Sequence, residues 1–319
     1  MILVQHHCSQ STKRSVVLLF GTGLIGSSIL KGLRQSGETT CHECPFSWNE
    51  ANQRTRDAEG IYSRLIGTVE SDGNCGGAPN SIALVWSAGK AGFFASQEDI
   101  DRELESYHVV LSLLEKLSLR FPTIKVECHL LSSAGGLFED QGLVDISTQP
   151  SPKRLYGHLK YEQENLLAKL DSDIAKYIYR PTSVYGYSGP GKRMGLIPTL
   201  ISNGIQNQTS TIVGSLNTLR DYVFNDDIGN HIAAQICSEE RMTETDIRLL
   251  ASGKPSSIFE IQHFVERVIR KKVLLNFLAS PETDNATDIV VGSDVLTENW
   301  NPIDVSTGVR CVKDLFMAN

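Results

Sequence analysis

Apolar and polar positions along the chain fall into two alternating kinds of segment. Short continuous apolar runs, "SVVLLF" at 15–20 and "SIALVW" at 81–86, predict strands buried on both faces of a sheet. "TTCHEC" (39–44), "KVECHLLSS" (125–133) and "AKYIYRP" (175–181) read as further strands, the last stopped by Pro181. Between them lie helical patterns. "SSILKGLRQSG" (27–37) sets Ile29, Leu30 and Leu33 on one side, with Gly37 as its stop. Residues 98–119 space Ile100, Leu104, Tyr107, Leu111 and Leu114 at helical intervals, and 153–170 predict another helix. Residues 45–80 are polar and predict irregular connections with a short helix at most. The first fourteen residues open on only four apolar positions and predict a loosely held extension.

Strands alternating with helices imply an α/β fold, a doubly wound parallel sheet with right-handed crossovers. Ligands of such sheets bind outside the carboxyl ends of the strands. Gly21–Gly26, Ala88–Gly89, Ser132–Ser133 and Arg180–Pro181 all follow predicted strands, so one crevice can collect them. Beyond residue 182 the texture changes to Gly, Asn, Ser and Thr, with one clear helix in "SSIFEIQHFVERVIRKK". Ser257 and Glu260 form its capping-box signature, ahead of Ile261, Phe264, Val265 and Ile269. The expected organisation is an extension over 1–14, a nucleotide-binding domain over 15–181 and a mainly cap-forming region over 182–319, some of whose segments return to the first domain.

Bulk properties narrow the function classes. A net charge of −7 argues against a general nucleic-acid binder, and no apolar run has the length of a membrane span. The amino-terminal stretch lacks the pattern of a signal peptide, so a cytoplasmic location is expected. Seven scattered cysteines, an odd number, suit free thiols. Cys41 and Cys44 form a C-x-x-C without a second pair, no H-E-x-x-H or G-x-S-x-G occurs, and Asp226 and Asp227 lack partner ligands. No metal is expected.

The candidate chemistry sits in three places. "GTGLIG" follows a strand and opens a helix, the context in which Gly21, Gly23 and Gly26 let the chain turn, approach a pyrophosphate and pack, with the Leu24 and Ile25 amides at the helix start. Glu43 stands about where an acid would meet the adenosine ribose. In "YGHLK", Tyr156 and Lys160 share a helix face, where an ammonium favours a phenolate able to accept an alcohol proton. Ser133 ends its strand before "AGG" and can hydrogen-bond an oxygen becoming a carbonyl; the bland alternative is a serine starting a turn. Arg220 has the planar fork that suits phosphate, against the plainer reading of a surface ion pair.

Together these motifs resemble the extended short-chain dehydrogenase/reductase family, in its NAD-dependent nucleotide-sugar epimerase/dehydratase branch. "LLFGTGLIGSSI", "SSAGGLF", "YGHLK", "YRPTSVYG", "RDYVFNDDIGNHI", "ASGKPSSIFEI" and "NWNPIDVSTGVR" match its ordered motifs over nearly the whole chain. The resemblance implies a modified Rossmann domain with a smaller C-terminal α/β cap that binds a nucleoside-diphosphate sugar. It implies Ser133, Tyr156 and Lys160 as catalytic. Gly21, Gly23, Gly26, Ala88, Gly89 and Lys90 would lie near the cofactor, and Arg220 at the substrate diphosphate. Ser183 stands where the family has asparagine, and the asparagine of the long helix is missing near Glu105 and Ser106. Helices 98–119 and 153–170 resemble those that pair two subunits into a homodimer. NAD is the expected cofactor, since "HECPFSWNE" offers no cation for a 2′-phosphate, with NADP left open. Ala134 replaces the Asp-Glu pair of the 4,6-dehydratases. The expected reaction is epimerisation at C4 through a 4-keto sugar. Its rivals are an NAD(P)H-dependent 4-keto-sugar reductase and a non-catalytic dinucleotide sensor, which would have lost the tyrosine or the lysine.

Overall fold

The strand predictions from continuous apolar runs hold in the computed structural model: Ser15–Phe20 and Ser81–Trp86 are buried at every position. The structure describes residues 1–75, 78–89, 92, 95–192, 194–213, 216–240, 244–278, 290–292 and 297–318. The chain begins with β1 (Ile2–Cys8), β2 (Arg14–Phe20), α1 (Leu24–Ser36), β3 (Gly37–Glu43), α2 (Ala51–Cys75), β4 (Ser81–Trp86), α3 (Gln97–Arg120), β5 (Lys125–Leu131) and a short α4 (Ala134–Leu137). Next come β6 (Leu143–Val144), α5 (Leu155–Ala168), β7 (Ile174–Pro181), β8 (Ser183–Tyr185), α6 (Leu196–Gln206), β9 (Thr209–Val213) and β10 (Leu219–Phe224). The rest is α7 (Asn225–Cys237), β11 (Thr245–Leu250), β12 (Pro255–Ser257), α8 (Ile258–Ile269), β13 (Leu274–Leu278), β14 (Val290–Val291) and α9 (Val305–Met317). Among the described residues no helix is long and apolar enough to cross a membrane.

The chain divides into two units. The first takes Met1–Leu137, Pro152–Arg180 and Gly229–Arg248; the second takes Phe138–Ser151, Pro181–Ile228 and Leu249–Asn319. The first unit is built on a seven-stranded, mostly parallel sheet in the order β11-β7-β5-β4-β2-β1-β3. Its core packs Leu18, Phe20, Leu84, Trp86, Val126 and Leu130 of the sheet against Tyr107, Leu111 and Leu114 of α3.

Two expectations are corrected here. The first residues are not a loose extension: β1 is an interior strand, antiparallel to both β2 and β3, with Leu3 opposite Leu18. Four apolar residues suffice because both edges of the strand are paired and Leu3 and Val4 are fully buried. Residues 45–80 hold a 25-residue helix, α2, rather than irregular chain. Its buried stripe of Ile61, Leu65 and Val69 repeats every four residues and is narrow, so polar outward positions dominate the composition. The second predicted strand forms as β3, which pairs with β1 rather than with β2 and is largely exposed.

The second unit carries a three-stranded sheet, β12-β10-β8, with β8 and β10 parallel, and two-stranded pairs β13-β9 and β14-β6. Its core gathers Ile197, Leu200 and Ile201 of α6 with Ile261 and Val265 of α8 and Val309 of α9. The expected capping box of α8 forms, with the Glu260 amide donating to Ser257 Oγ at 3.2 Å and the Ser257 amide to Glu260 Oε2 at 2.8 Å.

Candidate active site

The glycine turn after β2 is dictated by close packing. Gly21 adopts φ +95°, and a Cβ there would lie 2.5 Å from the Ala88 amide nitrogen, so the ends of β2 and β4 can pass only without a side chain. Ser87 Oγ ties the same two ends together, donating to the Phe20 and Gly21 carbonyls at 3.1 and 2.8 Å. A Cβ on Gly26 would run into the Gly21 carbonyl oxygen, which draws α1 onto the turn. Gly23, by contrast, caps α1 without a side-chain bond, and a Cβ there would meet nothing within 4 Å. The first helical bond runs from the Ser27 amide to the Gly23 carbonyl at 3.0 Å. The amides of Leu24, Ile25 and Gly26 therefore lie at the free, electropositive end of the helix, open to an anion.

These glycines give a paired prediction. Gly26→Ala should destabilise the protein by about 1–3 kcal/mol through overpacking. Gly23→Ala should leave thermal unfolding unchanged yet weaken dinucleotide binding, because its Cβ projects into the space a pyrophosphate would occupy. Thermal unfolding and dinucleotide titration of both variants check this; equal binding by Gly23→Ala and wild type would be the contrary result.

A cavity of about 660 Å³ opens beside the turn, lined by Gly21, Thr22, Gly23, Glu43, Ser87, Ala88, Gly89, Glu103 and Ser106 among others. Glu43, at the end of β3, thus reaches the same cavity as the glycine turn, despite the strand inserted between β2 and β3. With strands ~4.8 Å apart, β3 lies about 10 Å from β2, and the start of β1 (Met1, Ile2) lines the space between. The glycine cradle, the free helix start and the carboxylate suit a dinucleotide. Lys90 lies outside the described residues.

The second cluster is built where the chain leaves β5. Ser133 is 9% exposed, and its Oγ accepts from the Gly136 amide at 3.2 Å, capping the short α4. Gly136 lies directly on the first turn of α5: a Cβ there would be 3.0 Å from the Tyr156 ring, and a Cβ on Gly157 would strike the Gly136 carbonyl. Two glycines facing each other thus pack the turn that Ser133 caps against the start of α5. Tyr156 is half-buried, and the Lys160 ammonium lies 5.8 Å from the centre of its ring, one helical turn on.

Sequence reasoning missed Glu103. It was Glu105 and Ser106 that stood near the position of the missing asparagine. Ser106 lines the cavity and accepts from Arg54 at 3.0 Å, and Glu105 forms a surface ion pair with Arg54 at 2.8 Å. Glu103 instead turns inward, 3.5 Å from Lys160 Nζ, with Gln163 bonded to both: Lys160 donates to Gln163 at 3.0 Å, and Gln163 donates to Glu103 at 3.1 Å. Its carboxylate also underlies Gly89, so it joins the lysine to the cavity wall. The signal was available: Glu103 falls on the buried stripe of Ile100 and Tyr107, at helical intervals of three and four.

In the second unit, Ser183 on β8 pairs in register with Tyr222 on β10, and Arg220 lies two residues before Tyr222 on the same strand. Burial pushes the Tyr222 phenol up to about 12, with Arg220 opposing the shift. Asp227 accepts from the Ile303 amide at 2.9 Å and is raised to about 6, chiefly by burial. It holds the chain ahead of α9. Arg180, at the end of the predicted strand 175–181, belongs to the first unit and forms a buried pair with Glu164.

A model of the NAD dependent epimerase/dehydratase family matches residues 17–242. Among solved structures, the UDP-glucose 4-epimerase of Thermus thermophilus, in complex with NAD, is similar with a TM-score of 0.72 at 17% identity, over 95% of this chain and 99% of that one. The UDP-glucuronic acid 4-epimerase of Bacillus cereus, in complex with UDP-glucuronic acid and NAD, gives 0.66 at 18% identity, over 95% and 99%. The ADP-L-glycero-D-manno-heptose-6-epimerase of Helicobacter pylori gives 0.60 at 12% identity, over 76% and 74%. At these identities the likeness is one of fold. No curated protein matches the chain.

Proposed function

The chain belongs to the NAD dependent epimerase/dehydratase family, and on that premise we propose that it is an NAD-dependent 4-epimerase of a nucleoside-diphosphate sugar, acting through a 4-keto intermediate. One observation carries the reading: the glycine contact that packs the turn capped by Ser133 against Tyr156, with Lys160 one turn on, in the same unit as the glycine turn and its cavity. The neighbours from Thermus thermophilus and Bacillus cereus, both 4-epimerases of UDP sugars in complex with NAD, support the substrate class and the position of attack.

The cofactor is assigned to the Gly21–Gly26 turn, with its pyrophosphate on the amides of Leu24, Ile25 and Gly26 and its adenosine ribose toward Glu43. When bound, NAD supplies reversible hydride acceptance at the sugar carbon. Tyr156 Oη takes the proton of the sugar hydroxyl and later returns it. Lys160 stands one turn from that tyrosine, and Glu103 with Gln163 holds its ammonium in place. Ser133 Oγ donates to the oxygen that becomes the carbonyl. Arg220 is assigned to the diphosphate and Ser183 to a sugar hydroxyl. A homodimer through α3 and α5 is part of the proposal, supported by Leu119, Leu155 and Tyr161 on those helices, which are 82%, 42% and 39% exposed.

An epimerase does no net redox chemistry, so hydride should return to the carbon it left. Incubation with a nucleotide sugar deuterated at C4, without added cofactor, should give the epimer with deuterium still at C4. Stoichiometric consumption of added NADH or NADPH with a 4-keto sugar, and no epimer in its absence, would assign a reductase instead.

A further inference from the structure

The opposite margin of the first unit carries a cluster that the proposed reaction does not use. On β1, His6 and Cys8 are two residues apart and so point to the same face, both inward, while His7 between them is exposed. Cys237 is the last residue of α7. It arrives beside them because α7 docks on α1 through glycines: a Cβ on Gly32 would lie 2.9 Å from the Gly229 carbonyl, and a Cβ on Gly229 would strike the backbone of Ser28. The His6, Cys8 and Cys237 ligand atoms all lie within 4.8 Å of one another. His6 Nε2 is 3.3 Å from Cys237 Sγ.

The two ring nitrogens of His6 face different partners: Nδ1 lies 3.1 Å from Thr39 Oγ1, and Nε2 lies 3.3 Å from both Cys237 Sγ and Ser36 Oγ. With the Nδ1 proton turned to Thr39, Nε2 is the nitrogen left to ligate, and a partner on the second ring nitrogen accompanies most ligating histidines. Beside the two cysteines a cavity of about 520 Å³, lined also by Gln35, Ser36 and Ala233, gives a path from solvent and room for a fourth ligand.

We propose that His6 Nε2, Cys8 Sγ and Cys237 Sγ form a binding site for a borderline-soft divalent cation of the zinc class, with water in the fourth position facing the cavity. Tetrahedral zinc with two thiolates and one imidazole sets its ligand atoms about 3.5–3.8 Å apart, given bonds of about 2.3 Å to sulfur and about 2.0–2.1 Å to nitrogen. The cluster reaches that spacing by small shifts: His6 Nε2 and Cys237 Sγ, now 3.3 Å apart, move slightly apart, and the other pairs lie within 4.8 Å. Each thiol loses one proton on binding, and the two thiolates balance the charge of the ion. The site joins β1 to the end of α7 across 229 residues of chain (237 − 8), so it acts as a clamp on the margin of the sheet rather than as part of the sugar chemistry.

Cobalt(II) is the probe. The full-length protein, reduced and stripped with a chelator, should take up one equivalent of cobalt, with a sulfur-to-cobalt charge-transfer band and the intense visible bands of a tetrahedral site, and zinc should displace it. Cys8→Ser and Cys237→Ser should each abolish the charge-transfer intensity of a two-thiolate site and weaken binding by more than the ~10–100-fold expected for Thr39→Ala, which removes only the outer partner. Cys41→Ser, in the C-x-x-C, should bind as wild type. If the serine variants fold poorly, alkylation of the wild type decides: one equivalent of zinc should protect Cys8 and Cys237, and no other cysteine, from iodoacetamide. Absence of the charge-transfer band, unchanged binding by either serine variant, or a Cys8–Cys237 disulfide that forms in air while the reduced protein binds no cobalt would overturn the proposal.

Discussion

Tyr156→Phe is expected to lower turnover by at least ~10²–10⁴-fold, the range supplied by a positioned acid–base group. Nothing else about the site should change much. The ring packs on Gly136, and phenylalanine keeps that contact. The cavity walls contributed by the glycine turn, Glu43 and Glu103 do not involve the hydroxyl. NAD affinity and unfolding temperature should therefore stay close to wild type. kcat and kcat/KM should fall together, since the lost interaction acts in the transition state rather than in binding. Steady-state kinetics with an epimerisable nucleotide sugar, beside a titration with NAD, check the pattern. Turnover within a few-fold of wild type would remove Tyr156 from the acid–base role.

Glu164→Ala carries the largest expected effect on stability. Arg180, at the carboxyl end of β7, donates to Glu164 through Nε at 3.0 Å and through Nη2 at 2.7 Å. The two side chains are 6% and 5% exposed, so removing the acid leaves a buried guanidinium without its counter-ion. Such a loss costs about 3–5 kcal/mol, whereas replacing both partners by apolar residues of similar volume is often neutral or better. Glu164→Leu combined with Arg180→Met should accordingly recover much of what the single change loses. Glu164 also lies on α5, the helix of Tyr156 and Lys160, so turnover should fall with the single variant through loosened positioning. Urea unfolding of the single and double variants measures this; a loss below about 1 kcal/mol for Glu164→Ala would show that the pair is not needed.

Within the sheet, β2 and β4 were the most legible in the sequence because they are buried on both faces and read as unbroken apolar runs. β1 was not legible. Its burial comes from the strands beside it rather than from its own composition, and antiparallel pairing through a short turn leaves little trace in "MILVQHHC". α2 was hidden by an apolar stripe one residue wide. The glycine turn was readable since Gly21 and Gly26 answer local steric demands, and the spacing of Tyr156 and Lys160 was readable from the helical period. Glu103 was overlooked because a charged residue in a helix is first taken as solvent-facing. Only its phase relative to Ile100 and Tyr107 marks it as inward. The His6–Cys8–Cys237 cluster has no motif, since Cys237 lies far along the chain from His6 and Cys8 and joins them only when α7 docks.

The indoles beside the cofactor cavity give it an optical readout. Trp48 lines the cavity, and its ring centre lies 5.9 Å from that of Trp86, which is fully buried at the end of β4. Trp86 in turn stands 4.9 Å from Tyr107. Excitation absorbed anywhere in this row should migrate to the indole at the cavity wall. A reduced nicotinamide absorbs where indole emits, so a dinucleotide held there should quench the emission and gain light of its own. Of the three tryptophans, only Trp300 lies in the other unit. The redox state of the cofactor during turnover should therefore be readable from the native protein without any added dye.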